Sequence, residues 1–377
     1  MIQAPGFFWT ALFFLLAIGP LIFLHEMGHY LVARWCGVKA DVFSIGFGRE
    51  VMGWTDKRGT RWKISWMPLG GYVRFAGDAN AVSQPDQYWM ELPDFERSQV
   101  FHSKPVWKRA AITAAGPFAN FLVGFLLLAG LLAGFGDLRI PSVVGSVKAG
   151  SVAEATGFRE GDRIVSIGDK RIDDFESLYE TVYARPQVAL DFGVEREGRK
   201  LHILATPAYV ETRDGFGNIQ RRGSMGIGPV APTRVVLGLS EIPGVALDRT
   251  VGVIRSTIDG LGQILFGNLS AKEMSGPVKM AKFAGQVATL GWVPFIGFIA
   301  MISINLGFIN LLPIPMLDGG HLLFYTIEGV IRRPVPPQAQ DWAFRTGFAV
   351  LMTLMLFVTF NDFASLELWH RLSGLIG

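Results

Sequence analysis

Cysteine and charge are scarce in this sequence of 377 residues. The single cysteine, Cys36, excludes an intramolecular disulfide framework and a cysteine-rich zinc module. Charged residues make up only 18% of the chain, and the net charge of +3 is too small an excess to indicate nucleic-acid binding. Hydrophobic residues make up 50%, and the mean hydropathy is +0.33. These values exclude general disorder and indicate a membrane protein.

Four apolar segments account for the hydrophobic excess, and a helix needs about 20 such residues to cross the hydrocarbon layer. The first segment lacks a basic start and a cleavage site of small residues, so we predict a permanent helix rather than a signal peptide. The fourth is short, and Trp342 and Phe344 extend it towards its N-terminus. The segments cover residues 6–24, 110–136, about 291–312 within the proline-broken run 283–317, and 346–361.

Positive charge near the helix ends predicts the orientation, because cytoplasmic loops carry an excess of Lys and Arg close to the spans. Near the helix ends, ten Lys and Arg residues lie on the side of the loops at about 37–109 and 314–342, and six lie on the side of the N-terminus and the long loop after the second span. We therefore expect the N-terminus and the long loop outside, and the other two loops in the cytoplasm.

A motif with metal-ligand spacing, His25-Glu26-Met27-Gly28-His29, ends the first apolar segment. Histidines at i and i+4 share one helical face, so both imidazoles can reach one zinc ion, and Glu26 is placed to act as a general base. The alternative is an interfacial polar cluster that only ends the span. Burying a carboxylate and two imidazoles is costly without a partner or a function, which favours the metal site.

A catalytic zinc site has three protein ligands and one open position, so a third ligand is expected. Asp318 in the Leu-Asp-Gly-Gly sequence is the best candidate. Spans one and three run in the same direction, so the end of span three lies at the same membrane face as the two histidines. The competing interpretation is that Asp318 caps the helix that follows it.

Polar residues inside spans two and three are candidates for positioning a substrate or stabilising an oxyanion. Asn305 and Asn310 lie within span three, and Asn120 lies near the cytoplasmic entrance of span two. Gly116, one turn before Asn120, is a further candidate, because a glycine permits close backbone approach. The open alternative is that the amides only bridge neighbouring helices, as is common in membrane bundles.

Residues 41–77 mix aromatic and β-branched residues with glycine, and the alternation in 61–66 and 72–75 predicts strands. The preceding Asp56-Lys57-Arg58-Gly59 suits a turn. A small sheet beside the His-Glu motif would offer an edge strand to an extended substrate. A membrane-associated lid or packing hairpin is the equal alternative.

The long external segment alternates strands and short helices between residues 143 and 206, as in a compact α+β domain. The order of its elements and Gly-Asp-Arg-Ile-Val-Ser-Ile at 161–167 resemble a PDZ domain, whose groove captures an extended peptide by strand addition. Gly226 and Ile227 are candidates for this groove. Residues 235–267 have helical periodicity and are predicted to form an amphipathic segment on the outer face.

Four features in order resemble the site-2 protease family over almost the whole chain: H-E-M-G-H, A-G-P-F-A-N-F, the PDZ-like loop and N-L-L-P-I-P-M-L-D-G-G. The order is similar to that of the bacterial branch that regulates the sigma-E envelope stress response. The resemblance implies an intramembrane zinc endopeptidase with one zinc ion per chain. It assigns His25, His29 and Asp318 as ligands, Glu26 as general base, and Asn305 and Asn310 to substrate handling.

The resemblance also implies partners and a location. Family members cleave single-span membrane proteins such as an anti-sigma factor already trimmed outside by another protease, and some clear signal-peptide remnants. The implied partners are these substrates, a peptide or substrate ectodomain at the PDZ-like domain, and the lipid bilayer. The implied location is the bacterial inner membrane, with the N-terminus and the PDZ-like domain periplasmic and the active site towards the cytoplasm. Well-studied relatives carry two PDZ domains, whereas residues 137–233 have room for one.

A non-catalytic metal-binding scaffold or a transporter is the alternative class, although the sequence shows no internal repeat of the kind that transporters carry. The predicted fold is an α-helical polytopic membrane protein with four transmembrane helices, a small membrane-associated β-sheet and one α+β PDZ-like domain. Its segments are span one at 1–36, a cytoplasmic β-rich region at 37–109, span two at 110–136, the PDZ-like domain at 137–233, an amphipathic periplasmic linker at 234–290, span three at 291–313, a cytoplasmic loop and short helix at 314–342, span four at 343–361 and a tail at 362–377.

Overall fold

The computed structural model describes residues 5–78, 90–213, 219–265 and 276–365. The chain divides into two compact units, the first comprising residues 1–131 and 243–377 and the second residues 132–242. Most of the predicted tail, from residue 366 onward, lies outside the described residues.

Helices dominate the first unit and short strands the second. The elements before residue 150 are α1 (Phe7–Trp35), β1 (Ala40–Thr55), β2 (Arg61–Phe75), α2 (Asp94–Arg97), a 3-10 turn (Phe101–Ser103), α3 (Val106–Phe135), β3 (Asp137–Arg139) and β4 (Val144–Val147). The next are α4 (Val152–Thr156), β5 (Arg163–Ile167), β6 (Lys170–Arg171), α5 (Phe175–Tyr183), β7 (Leu190–Arg196), β8 (Arg199–Ala205), β9 (Ala208–Arg213), β10 (Ile219–Ser224), β11 (Ile227–Pro229) and β12 (Thr233–Val235). The last are α6 (Ile242–Leu265), α7 (Pro277–Thr289), α8 (Trp292–Asn310), α9 (Asp318–Ile331) and α10 (Pro337–Ser365).

Four helices among the described residues are long and apolar enough to cross a membrane: α1, α3, α8 and the Gln338–Phe363 part of α10. The prediction of four spans is therefore confirmed. Two of these helices begin earlier than their apolar runs, because backbone hydrogen bonding continues through polar residues such as Lys108 and Arg109 at the start of α3. Large apolar side chains remain exposed along them, which fits a lipid environment. Examples are Phe7, Trp9, Leu126, Leu356 and Phe360.

The β-rich region of the first unit is a single long hairpin. The turn at Asp56–Gly59 joins β1 to β2, and Gly59 has a φ of +82°, a conformation that glycine adopts without strain. Phe43 is in register with both Trp62 and Val73, so β2 folds back and pairs along both edges of β1. The predicted strands at 61–66 and 72–75 are thus two parts of β2. Stacked rings of Phe43 and Trp62, 4.5 Å apart, hold this sheet together.

Two apolar clusters join the elements of the first unit. Around the middle of α1, Ala17 and Leu21 pack against α7 and α8. Around its C-terminal end, Tyr30 and Ala33 pack against the hairpin and α9. The predicted amphipathic linker therefore comprises two helices, α6 and α7, of which α7 belongs to the core. The carboxylate of Asp362 in α10 accepts hydrogen bonds from backbone N–H groups at the start of α7.

The second unit has its own core around a four-stranded sheet in the order β6-β5-β7-β8. Asp174 caps the N-terminus of α5, and Gly157 ends α4 in the left-handed conformation; aspartate and glycine are favoured at these positions. Strand β4 pairs with β11, and Ile227 lies opposite Val147. The predicted alternation of strands and short helices between residues 143 and 206 agrees with these elements.

Candidate metal centre

Two histidines and one aspartate converge inside the first unit. His25 and His29 lie one turn apart on α1, and their Nε2 atoms are 3.2 Å from each other. One carboxylate oxygen of Asp318 lies 3.2 Å from Nε2 of His25, and the other lies 3.5 Å from Nε2 of His29. The three side chains form a group that could hold a metal ion, with ligand atoms within 4.8 Å of one another.

The turn between α8 and α9 delivers Asp318 to the two histidines. The helix cap is Leu317, without any side-chain cap, and Asp318 is the first residue of α9. The carboxylate contacts the imidazoles, so the alternative that Asp318 serves as the cap is wrong. Met316, just before it, has a φ of +85°, a rare conformation for a residue with a side chain, and lines the same cavity.

The electrostatics of Asp318 suit a metal ligand. Burial by itself raises the pKa of this carboxyl group, but the charges and hydrogen bonds of His29 and His25 lower it well below its usual range. The group is therefore a carboxylate at neutral pH. A carboxylate and two imidazoles match the oxygen and nitrogen ligands that zinc binds in catalytic sites.

The spacing of the three ligand atoms and the space between them fit a zinc ion. Zinc bonds nitrogen and oxygen at about 2.0–2.2 Å, which places neighbouring ligand atoms of a tetrahedral site about 3.3 Å apart. The observed separations of 3.2 and 3.5 Å agree with this geometry. Gly116 of α3 leaves the space open, because a Cβ atom there would lie 2.2 Å from Nε2 of His29 and 2.8 Å from Nε2 of His25.

Helix α3 also contacts the far side of each imidazole. Nδ1 of His29 lies 2.9 Å from the backbone oxygen of Ile112 and donates a hydrogen bond to it, which leaves Nε2 free for a metal. Nδ1 of His25 lies 3.0 Å from the side-chain amide of Asn120. The prediction for Asn120 was substrate positioning, and the structure places its side chain, fully buried, against the imidazole of His25.

Small residues allow α3 to approach its neighbours closely on both sides. A Cβ atom at Gly28 would lie 2.4 Å from the backbone oxygen of Ala115, so α1 and α3 are in backbone contact at the motif. On the other side, a Cβ atom at Gly307 of α8 would lie 2.9 Å from the backbone oxygen of Pro117. These contacts fix the position of Gly116 and Asn120 relative to both neighbouring helices.

Glu26 and the metal ligands line a cavity of about 440 Å³. A backbone hydrogen bond from Val73 of β2 reaches the Glu26 carboxylate, and the close approach of Gly71 to Ile22 keeps that strand against α1. Burial lowers the pKa of His321, another lining residue, to about 4, so this imidazole is neutral at pH 7. Tyr72, Leu306, Asn310, Met316, Leu317 and Tyr325 also line the cavity.

The other predicted site residues are dispersed. Asn310 lines the cavity, whereas Oδ1 of Asn305 accepts a hydrogen bond of 2.6 Å from Thr257 of α6. Gly226 and Ile227 belong to the second unit, where Gly226 has a φ of +78° and its backbone oxygen accepts a hydrogen bond from Lys148. Sequence reasoning left the roles of these amides and of the groove open.

Several residues at the site were missed by sequence reasoning. Arg109 of α3 binds Glu328 of α9 at 2.6 Å, and its guanidinium lies over the ring of Tyr325. The pair joins the helix that carries Gly116 to the helix that carries Asp318. A basic residue at the start of a span carries a topology signal in the sequence, but no spacing rule links it to a glutamate 219 positions away.

Comparison with known proteins adds an independent finding. The family model described as "Peptidase family M50" matches residues 13–354. A "Putative zinc metalloprotease" of Agrobacterium fabrum is 42% identical over 358 residues, which cover 94% of this chain and 95% of the relative. Another protein with that description, from Rhizobium meliloti, is 42% identical over 93% of this chain and 95% of its own. "Metalloprotease MmpA" of Caulobacter vibrioides is 38% identical over 98% and 99%.

Proposed function

Because the chain belongs to peptidase family M50, the site-2 protease family, we propose that it is an intramembrane zinc endopeptidase. The observation that carries the proposal is the group of His25, His29 and Asp318 around the space left by Gly116, with Glu26 in the same cavity. All three ligands lie on or directly beside apolar helices long enough to cross a membrane. We propose one zinc ion per chain, because one such group is found within the described part of the chain.

The residues around the cavity have different proposed roles in peptide hydrolysis. A zinc ion held by His25, His29 and Asp318 would supply a Lewis acid for a water molecule and for the scissile carbonyl. Glu26 takes the proton from the attacking water and returns it to the leaving amine, as general bases and acids do. Asn310 lines the cavity, and its proposed role is to donate a hydrogen bond to the substrate backbone.

The substrate class follows from the surroundings of the site. We propose single-span membrane proteins, including a pre-trimmed anti-sigma factor and signal-peptide remnants. An α-helix is about 10–12 Å wide and satisfies its own backbone groups, so a substrate must unwind before its peptide bond can react. Strand β2 beside Glu26 supports binding of an extended segment by strand addition. The proposed location is the inner membrane, with the site towards the cytoplasm.

We assign the second unit to a PDZ-like domain on the periplasmic side. Its support is the pairing of β4 with β11 and the position of Gly223, where a Cβ atom would lie 2.2 Å from the backbone oxygen of Val182 in α5. The segment that ends at Ile227 therefore runs from α5 to the edge of β4. A peptide or a substrate ectodomain is the proposed partner.

The test pairs zinc content with cleavage of a trimmed single-span substrate by the purified full chain. Glu26→Gln keeps the side-chain shape but removes the base, so we expect bound zinc with a loss of at least about 100-fold in cleavage rate. Asp318→Ala should lose both zinc and cleavage. Undiminished cleavage by Glu26→Gln would contradict the assigned base, and zinc binding without any cleavage by the wild type would favour a scaffold or transporter.

A further inference from the structure

Asn120 is the buried polar residue whose hydrogen bonds the proposed reaction leaves unexplained. Its side chain is fully buried, and Nδ2 lies 3.0 Å from Nδ1 of His25. Its Oδ1 is buried without a hydrogen-bond partner within the part of the chain that the structure describes. A buried amide oxygen without a hydrogen-bond partner is unfavourable, so a state of the site in which this oxygen is paired is expected to be favoured.

Metal binding would give the unpaired Oδ1 of Asn120 a hydrogen-bond partner. His25 faces Asp318 through Nε2, and a neutral imidazole that binds a metal through Nε2 carries its proton on Nδ1. That N–H would then face the Nδ2 donor of Asn120. A half-turn of the amide exchanges Nδ2 with Oδ1, so Oδ1 accepts the Nδ1–H bond and is no longer unpaired.

We propose that Asn120 is a positioning residue that fixes the tautomer and ring orientation of His25 by accepting a hydrogen bond from Nδ1–H at Oδ1. The proposal rests on the proposed zinc site and adds a residue to it. His29 has the matching arrangement, with Nδ1 on the backbone oxygen of Ile112. Helix α3 thus orients both imidazoles, through its backbone at one and through a side chain at the other.

The neighbouring helix holds Asn120 in place. The hydroxyl of Ser303 in α8 donates a 2.7 Å hydrogen bond to the backbone oxygen of Asn120, and both residues are fully buried. Gly307 lies one turn further along α8 and packs closely here. A Cβ atom added at Gly307 would lie 3.3 Å from the Cβ atom of Asn120. The amide can therefore turn about its terminal bond while the rest of the side chain stays fixed.

The test compares Asn120→Asp with Asn120→Leu, since both replacements keep the number and branching of the side-chain heavy atoms of asparagine. An aspartate accepts the Nδ1–H bond and a leucine cannot. We expect Asn120→Asp to bind zinc within about threefold of wild-type affinity, and Asn120→Leu to lose about 10–100-fold, measured by competition with a chromophoric chelator in micelles. Leu122→Ala, an exposed position on the same helix, is the matched control and should match the wild type.

Two results would overturn the assignment. If Asn120 only packs, the leucine variant keeps zinc while the buried charge of the aspartate variant weakens it. If the leucine variant does not fold, Asn120→Ala replaces it, and equal zinc affinities of the alanine variant and the wild type contradict the proposal. Zinc binding and cleavage by the wild type, measured alongside, separate these results from failure of the zinc-protease function, in which the wild type itself binds no zinc.

Discussion

Gly116 shows what a missing side chain does at the scale of a single residue. The three atoms nearest to its absent Cβ all belong to the imidazoles of His29 and His25, and two of them are the Nε2 atoms that face the metal position. Glycine inside a helix costs about 1 kcal/mol relative to alanine, and here the cost leaves room for an ion. From the sequence, Gly116 was a candidate for close backbone approach and substrate positioning, and its proximity to the two imidazoles was not predicted.

Replacing Gly116 with alanine is expected to remove zinc from the site, because the new Cβ would lie 2.2 Å from Nε2 of His29. We expect a loss of about 100-fold or more in zinc affinity, measured by chelator competition, with a matching loss of cleavage. Gly130→Ala on the same helix is the control, because a Cβ there meets nothing within 4 Å. Wild-type zinc affinity in Gly116→Ala would place the metal elsewhere.

At the scale of elements, sequence patterns predicted where helices and strands lie in the chain, but not which elements pack against each other. The apolar runs gave all four spans, and the run Asp56–Gly59 gave the turn, since these depend on residues close together in the chain. Apolar periodicity records how buried a face is, not which helix covers it. The packing of α7 on α1 and the hydrogen bond from Thr257 to Asn305 were therefore not predictable.

The same distinction holds within the site. The spacing of His25 and His29 follows from one helical turn, and the depth of Asp318 follows from the direction of the spans. The contact between Asn120 and His25 joins residues 95 positions apart, and it depends on how closely α3 approaches α1. No local pattern encodes that distance, so the sequence could give only a short set of polar candidates.

The contact between α1 and α3 yields a prediction about stability. In Gly28→Ala the new Cβ would lie 2.4 Å from the backbone oxygen of Ala115, and a helix backbone cannot move aside as a flexible side chain can. We expect a destabilisation of about 1–3 kcal/mol, measured by titration with sodium dodecyl sulfate in mixed micelles and followed by circular dichroism. Gly130→Ala again serves as the control. Equal unfolding midpoints of the two variants would contradict a close backbone contact between α1 and α3.

At the scale of the whole molecule, the two units are stabilised by different physical terms. The first depends on helix packing among apolar and small residues, whereas the second has the hydrophobic core of a small α+β fold with a buried ion pair. The pair joins Asp162, fully buried, to Arg196 at 2.6 Å. Burial raises the pKa of Asp162, but hydrogen bonds from Arg196 and from the backbone of Arg159 lower it below its ordinary value.

This pair makes the stability of the second unit depend on pH. Because the pKa of Asp162 is lower in the folded chain, its stabilisation is present above the unfolded value of about 3.9 and is lost as the pH falls through the folded value. We expect hydrogen exchange at β5 and β7, corrected for intrinsic rates, to accelerate in that acidic range. In Asp162→Asn this dependence should disappear.

Asp173→Asn provides the matched control for the acid experiment. Asp173 pairs with Arg171 at 2.8 Å, but both side chains are more than 70% exposed, and exposed pairs contribute little to stability. Its exchange profile should therefore follow that of the wild type. Acid sensitivity that persists in Asp162→Asn would assign the effect to other carboxylates.

The close backbone contacts of α3 with α1 and with α8 also restrict the direction from which a polypeptide substrate could reach the site. Backbone contacts at Gly28 against Ala115 and at Gly307 against Pro117 leave no gap for a polypeptide between α1 and α3 or between α3 and α8 at this depth. The other walls of the cavity include both strands of the hairpin, Phe101, the end of α8, the turn that follows it and α9. Lateral entry from lipid is therefore expected on the side of the hairpin, where β2 would regulate access to the site in addition to the strand addition proposed for it.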